Sequence, residues 1–107
     1  MGSILYTVIA ELPDHQTAES YLAWLDAGHL QAVLVGGATS ARMYRLDGPA
    51  IRIMTVYEFS DRPAFERYER EHAPALRRDG RARFGEKPGV RFHREVAHQI
   101  TRPFSDC

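Results

Sequence analysis

Two side chains in this sequence are of types that can move a proton in a pocket, His29 and Tyr57. His29 follows Gly28 near the predicted end of an amphipathic helix, within the stretch YLAWLDAGHLQAVLVGGATSARMYRL (residues 21–46). An imidazole titrates at about pH 6.5, so it can donate or accept a proton near neutrality. Tyr57 lies in the apolar run AIRIMTVYEF (residues 50–59), where its phenol could polarise a substrate carbonyl. We therefore take His29 as the candidate catalytic acid or base and Tyr57 as the candidate orienting donor.

Each of these residues also has a purely structural explanation. His29 could hydrogen-bond a carbonyl at the end of the helix, where the helix dipole favours a positive charge, and Tyr57 could pack in the core. Trp24 is a candidate wall of the same pocket, but it precedes His29 by five positions, which is roughly 140° around an ideal helix. The two rings can meet only if the backbone departs from an ideal helix near Gly28.

Four further side chains on predicted strands are candidate substrate-binding residues: Tyr6, Arg42, Tyr44 and His93. The two tyrosines raise the same choice between binding and packing as Tyr57. Arg42 could bind an anionic substrate group or form a salt bridge with Glu58 or Glu95. His93 can face either side of the sheet, because side chains alternate along a strand and the sequence does not say which phase points inward.

Other kinds of catalytic or binding site lack their sequence signatures. No pair of histidines or cysteines has the spacing of zinc ligands on a predicted element. GGATSAR (residues 36–42) does not have the spacing of a phosphate-binding loop, and no dinucleotide-binding fingerprint or nucleophile elbow occurs. We therefore predict no metal and no cofactor, and any chemistry would rest on acid–base catalysis in a shaped apolar pocket.

The composition limits the class of protein. The chain has 107 residues, which suits one domain, and 14 basic residues balance 14 acidic ones. Without a basic excess there is no electrostatic reason to expect binding to nucleic acid or to an anionic membrane. We see neither a signal peptide nor an apolar run of the roughly 20 residues that a membrane span needs. One cysteine, Cys107, allows no intrachain disulfide, and we expect a cytoplasmic protein.

Hydrophobic patterning predicts two helices between four strands. We place the strands at residues 4–11, 38–46, 50–59 and 90–97, with a tight turn between the second and third that predicts an antiparallel hairpin. The first helix begins after Asp14 and carries an apolar stripe that His29 extends. The second begins after Ser60 or Asp61 and should kink at Pro74. Residues 77–89 are read as a polar connection, residues 1–98 as one domain and residues 99–107 as a tail.

The order β-α-β-β-α-β is that of a ferredoxin-like α+β domain, with both helices on one face of a four-stranded antiparallel sheet. The third strand is apolar in both phases, from Ile53 to Tyr57. The face away from the helices is therefore more hydrophobic than a solvated face needs to be, and it should be covered by a partner. No further helical layer is available in the sequence. We expect a second copy to cover it, giving a homodimer joined through sheet faces as a dimeric α/β barrel.

The sequence also resembles two related families. Residues 21–46 resemble EthD-like dimeric α/β-barrel proteins, which have a helix with an aromatic residue, a histidine about five residues on, a short apolar turn and a strand. VYEFSDRPAFERYEREHAPALRRDGRARFG (residues 56–85) resembles the family DUF4286 of the same superfamily. The resemblance implies that His29 borders a pocket between helix and sheet. It also implies a function among those of the superfamily, which includes cofactor-free monooxygenases, cyclases, isomerases and dehydratases.

Two functions are compatible with these observations. The first is a cofactor-independent enzyme of isomerase, cyclase or monooxygenase type that acts on a small apolar or aromatic carbonyl compound by histidine acid–base catalysis. The second is a non-catalytic ligand-binding or accessory dimer. The sequence does not choose between them, since fold resemblance supports architecture more strongly than activity.

Overall fold

The computed structural model describes residues 2–102, which form four strands and four α-helices. The strands are β1 (Ile4–Leu12), β2 (Ser40–Arg45), β3 (Ile51–Phe59) and β4 (Arg91–His98). The α-helices are α1 (His15–Trp24), α2 (Leu30–Val35), α3 (Arg62–Glu71) and α4 (Ala73–Gly80). Two five-residue π-helical turns continue α1 and α4: the first is Leu25–His29 and the second is Arg81–Gly85. Cys107 lies outside the described residues.

The four strands form one sheet in the order β2-β3-β1-β4, and every neighbouring pair is antiparallel. This order confirms the ferredoxin-like α+β fold, including the β2–β3 hairpin. Central strands β1 and β3 pair over their whole length, with Tyr6 opposite Tyr57. The molecule measures 40 × 35 × 20 Å, and its short axis is the thickness of one sheet and one helical layer.

Local sequence signals account for the helix boundaries. The carboxylate of Asp14 accepts a hydrogen bond of 2.7 Å from the Thr17 amide and caps α1. Asp61 accepts one of 2.9 Å from the Ala64 amide and caps α3. Such caps satisfy amides that have no partner within the helix. The chain breaks between α3 and α4 at His72, two residues before Pro74, which confirms the predicted kink.

Strand alternation divides the sheet into two faces. The face toward the helices carries most of the buried strand residues: Ile4, Tyr6, Ala10, Leu12, Ile53, Thr55, Tyr57 and Phe59. It continues on β4 through Phe92, Arg94 and Val96, which lie opposite Ala10, Val8 and Tyr6 in the register. The other face, which we call the outer face, carries the intervening residues of all four strands. Its apolar members are Leu5, Ile9, Tyr44, Met54, Val56 and Ala97.

The core consists of two aromatic-rich clusters beneath the helices. One contains Tyr6, Tyr57, Phe59, Phe65 and Tyr68 between the sheet and α3. The other contains Tyr21, Leu25, Ile53 and Phe84 between the sheet, α1 and the second π-turn. Tyr6, Tyr57 and Tyr68 of the first cluster and Tyr21 of the second line a cavity where the two clusters meet.

The structure departs from the sequence interpretation in one segment. Residues 77–89 were predicted as a connection, but α4 and the second π-turn keep the chain helical to Gly85. Arginine-rich RRDGRARFG has no continuous apolar stripe, so local pattern does not reveal this helix. The burial of Phe84 accounts for the helical conformation. This residue is 4% exposed, and its ring packs edge-on against that of Tyr21, with centroids 5.4 Å apart, so tertiary packing stabilises the segment.

No helix among residues 2–102 has the length and apolar character that crossing a bilayer requires. Beyond β4, the Gln99 amide donates a 3.0 Å hydrogen bond to the Ser3 carbonyl, which extends the pairing of the two terminal segments by one step.

Candidate functional site

A cavity of about 330 Å³ lies between the helix-facing side of the sheet and the layer formed by α1, α4 and the two π-turns. Its lining combines aromatic rings with three guanidinium groups. The lining residues are Tyr6, Val8, Tyr21, Trp24, His29, Thr55, Tyr57, Tyr68, Leu76, Arg77, Gly80, Arg81, Gly85, Phe92 and Arg94. Its volume is at the lower end of the range for small-molecule sites.

The first π-turn brings Trp24 and His29 together. The Leu30 amide donates to the Leu25 carbonyl five residues earlier, so one turn here contains more residues than an α-helical turn. The backbone leaves helical angles at Gly28 (φ 169°, ψ −19°). As a result the imidazole of His29 stacks on the indole of Trp24, with ring centroids 4.1 Å apart and planes 26° apart. This is the departure from an ideal helix that the five-residue spacing required.

Trp24 also links the first helical segment to α4. Its indole Nε1 donates a 3.0 Å hydrogen bond to Oδ2 of Asp79, and Oδ1 of the same carboxylate accepts one of 3.2 Å from Nε of Arg83. The hydrogen bond from Trp24 holds the pKa of Asp79 below its ordinary value. Asp79 is therefore ionised at neutral pH and fixes the indole as one wall of the cavity.

The surroundings of His29 favour its neutral form. Burial lowers the pKa of His29 to about 4, and the positive charge of Arg94 acts in the same direction, while Asp79 opposes them. The Nδ1 atom is enclosed and has no hydrogen-bond partner among residues 2–102. An imidazolium would place an N–H on this atom without an acceptor, which costs free energy. His29 is thus a neutral imidazole in the cavity wall, able to accept a proton.

Tyr57 lies in the floor of the cavity, near the C-terminal end of β3. Its side chain is 1% exposed, and its ring lies 5.9 Å from that of Tyr6, centroid to centroid. Burial raises the pKa of Tyr57 and of Tyr68 and raises that of Tyr21 to about 12. These phenols keep their protons at neutral pH, so each can act as a hydrogen-bond donor.

Tyr6 is at the end of the cavity where two arginines meet. Its hydroxyl accepts hydrogen bonds from Nε of Arg94 (3.1 Å) and from Nη2 of Arg77 (3.3 Å). Arg77 also forms an ion pair of 2.5 Å with Glu69. Two positively charged side chains therefore donate to one phenol oxygen. Arg77 is paired with Glu69, whereas Arg94 has no ion-pair partner among residues 2–102.

The structure separates the seven candidate residues into two groups. His29, Tyr57, Trp24 and Tyr6 all line the cavity. The other three, Arg42, Tyr44 and His93, lie on the outer face, away from the cavity. Arg42 forms no ion pair with Glu58 or Glu95 in the described chain, and it is His93 that contacts Glu95, at 2.6 Å.

The three arginines of the cavity, Arg77, Arg81 and Arg94, are not identified from the sequence. Arg77 and Arg81 lie in the segment 77–89 that is interpreted there as a connection, so no predicted helix positions them. Arg94 has the opposite strand phase from His93, and Phe92 two residues earlier gives that phase an apolar neighbour. A preference for burying Phe92 would have indicated that Arg94 points toward the helices. No group of three or more metal-binding side chains occurs within residues 2–102.

Solved structures share this fold at low sequence identity. An EthD family protein from Bacillus halodurans superposes with a TM-score of 0.69 at 14% identity, covering 94% of this chain and 100% of its own. A dimeric ferredoxin-like protein from an uncultured marine organism gives 0.67 at 16% identity, covering 96% and 100%. A dabb family protein from Mesorhizobium loti gives 0.63 at 22%, covering 94% and 100%. At these identities the likeness establishes the fold alone.

Sequence comparison identifies the family. The search of curated proteins returned no match. The profile described as a domain of unknown function, DUF4286, matches residues 3–98, which include every strand, both π-turns and the whole cavity lining. The chain therefore belongs to the DUF4286 family.

Proposed function

We propose that this protein is a homodimer that binds a small, largely aromatic carbonyl compound in the cavity and transfers a proton within it through His29. The observation that carries the proposal is the convergence of His29, Trp24, Tyr57 and Tyr6 on one cavity of about 330 Å³. Flat aromatic walls with a few fixed polar groups are typical of small-molecule sites.

The proton-transfer step uses groups that are already in the required state. Neutral His29 accepts a proton from the carbon next to the substrate carbonyl, and the electron pair of that C–H bond moves toward the carbonyl oxygen. Tyr57 keeps its proton and donates a hydrogen bond to the oxygen as negative charge develops there. Return of the proton to another carbon gives an isomer. Attack of the enolate carbon on a second carbonyl of the same molecule gives a ring, and His29 then returns its proton to the alkoxide that this addition forms.

The proposed homodimer accounts for the outer face. Leu5, Ile9, Met54 and Val56 form an apolar centre on the outer face of the two central strands, and no helix of the described chain covers it. The marine ferredoxin-like neighbour is described as dimeric, which supports a second copy as the cover. We place the protein in the cytoplasm, where a chain with one cysteine needs no disulfide.

One observation favours a second function, non-catalytic binding. The pKa of His29 is lowered to about 4, so in the empty cavity the imidazole is a weak base. A base of this strength removes a proton from carbon slowly unless the ligand changes its surroundings. A ligand-binding or accessory dimer would use the same cavity without that step.

A deuterium-exchange experiment separates these functions without knowledge of the product. Aromatic ketones, β-diketones and lactones are first screened for quenching of Trp24 fluorescence, since Trp24 is the single tryptophan and lines the cavity. Exchange of the protons next to the carbonyl of each binding compound is then followed in D₂O by NMR. Catalysis predicts faster exchange with the wild type than with His29→Gln, and unchanged exchange with His15→Gln, whose exposed histidine lies outside the cavity.

The outcomes assign the function. Binding with exchange that depends on His29 supports the enzyme. Binding without accelerated exchange supports the non-catalytic dimer. Exchange that survives His29→Gln removes this residue from the mechanism, and failure of every carbonyl compound to quench Trp24 contradicts binding in the cavity.

A further inference from the structure

We infer that the cavity ligand carries an anionic oxygen, a carboxylate or an enolate, held at the end of the cavity where Arg94 and Arg77 meet on Tyr6. This inference rests on the proposed binding of a small molecule and names its chemical class. It assigns a binding role to two arginines that the proposed proton transfer does not use.

The hydrogen-bond capacity of Tyr6 supports an oxygen acceptor beside it. A phenol oxygen has two acceptor positions and one O–H donor. Nε of Arg94 and Nη2 of Arg77 occupy both acceptor positions. The hydroxyl acts as donor in none of the hydrogen bonds formed within residues 2–102, although Tyr6 is only 4% exposed. Two cationic donors polarise the phenol, which strengthens the remaining O–H as a donor.

The excess of positive charge in the cavity lining also supports an anionic ligand. Three arginines line it, and no aspartate or glutamate does. Glu69 neutralises Arg77 from outside the lining, whereas Arg81 and Arg94 form no ion pair with another described residue. Positive charge in a cleft with low-dielectric walls attracts anions more strongly than the same charge in open solvent.

A structural role for these arginines explains the arrangement less well. Arg94 lies 5.9 Å over the ring of Phe92, a contact that would be satisfied without the phenol. Directing a second guanidinium onto the same neutral oxygen adds repulsion between like charges, and Glu69 offsets only one of the two. A carboxylate has two oxygens that can accept from both arginines and from the Tyr6 hydroxyl together.

An anion at this position would also change His29. The positive charge of Arg94 is one of the causes that lower the pKa of His29. A ligand anion paired with Arg94 would offset that contribution and raise the pKa of the imidazole, while burial, the largest cause, would continue to hold it below its ordinary value.

Matched ligand pairs test the inference. Benzoate, phenylacetate and hexanoate are each compared with their primary amides, which keep the size and the carbonyl but not the charge. Dissociation constants are measured by NMR chemical-shift titration at low ionic strength. We expect the carboxylates to bind at least about tenfold more tightly than the amides, which corresponds to one charge-assisted contact. Arg94→Gln and Tyr6→Phe should remove most of this preference.

Arg78→Gln is the control, because Arg78 is exposed on the same helix as Arg77 but does not line the cavity. It should leave the preference unchanged, and circular dichroism checks that each variant is folded. Equal dissociation constants for carboxylates and amides, with binding of both lost in Trp24→Ala, would overturn the anion inference and leave the proposed aromatic site intact. A carboxylate preference that survives Arg94→Gln and Tyr6→Phe, or absence of carboxylate binding at millimolar concentration, would also overturn it.

Discussion

The imidazole of His29 lies face to face with the indole of Trp24, 4.1 Å between centroids, although five residues separate them in the chain. In a regular helix the two side chains would point in directions roughly 140° apart. The π-turn therefore creates the contact, and single π-turns within helices occur frequently at functional sites. Because the stack encloses the imidazole, burial is the largest cause of the lowered pKa of His29, ahead of the nearby charges.

The lowered pKa of His29 makes the free energy of unfolding depend on pH between about 4 and 6.5. The ordinary pKa of His29 is 6.5, and folding lowers it to about 4, so between these values the unfolded chain binds more protons. The free energy of unfolding should fall as the pH is lowered from about 6.5 to about 4 and then level off for this group. We expect a contribution on the order of 2 kcal/mol, reduced for partial exposure. Urea unfolding of the wild type and His29→Gln measures the difference, and parallel pH curves would contradict the assignment.

Replacement of Asp79 should change the pKa of His29 by removing a nearby negative charge. Asp79 raises the pKa of His29 against the effect of burial, so Asp79→Asn should lower it further. The amide can still accept from Nε1 of Trp24 but loses the negative charge. The ring protons of His29, followed by NMR against pH, give the value directly. A titration midpoint that stays the same or rises would show that Asp79 does not influence the imidazole.

A charge on the outer face should disrupt the proposed homodimer. Met54 lies on this face of β3, opposite Ile9 and Tyr44 in the register, so a carboxylate there would be buried without a partner in the dimer. Met54→Glu should sediment as a monomer at concentrations where the wild type is a dimer. Val35→Glu is the control, because Val35 is 73% exposed on α2. A wild-type protein that is monomeric at micromolar concentration would contradict the dimer.

Two glycine substitutions should have opposite effects on stability. A Cβ at Gly36 would lie 2.9 Å from Cδ1 of Tyr68 and 3.1 Å from Cγ of His72, so Gly36→Ala should destabilise the protein by about 1–3 kcal/mol through overpacking. At Gly80, within α4, the nearest atom is Cη2 of Trp24 at 3.4 Å. Gly80→Ala should be neutral or stabilising by up to about 1 kcal/mol, from helix propensity. Thermal unfolding compares the two, and equal effects would show that close packing at Gly36 does not limit stability.

The sequence predicted the sheet because strand signals are local and strong. The continuous apolar runs of β1 and β3 and the capping residues Asp14 and Asp61 are each recognised from neighbours within a few positions. Part of the site could also be predicted from local spacing. The five-residue separation of Trp24 and His29 means that their rings can meet only if the backbone departs from an ideal helix, and the first π-turn provides that departure.

The remainder of the site depends on tertiary contacts. Residues 77–89 lack an apolar stripe, so the local pattern does not predict the helical segment that carries Arg77, which is stabilised by packing of Ala73 and Leu76 in the core and of Phe84 against Tyr21. The sequence of the edge strand β4 contains one indication of its phase, the apolar Phe92 in the same phase as Arg94, and it is the register with β1 that establishes the phase. That uncertainty is why His93, on the outer face, was chosen while Arg94 in the cavity was not.

The first π-turn has a consequence for comparing this chain with other family members. With one residue fewer between Trp24 and His29, a regular helix would place the two side chains four positions apart, roughly 40° around its axis, so the indole and the imidazole would share a face without a π-turn. The π-turn thus accommodates one additional residue in this interval and preserves the direction of the side chains that follow it. In this family, the length of the interval between the aromatic residue and the histidine should therefore separate members that need a π-turn to bring the two rings together from members that do so on a regular helix.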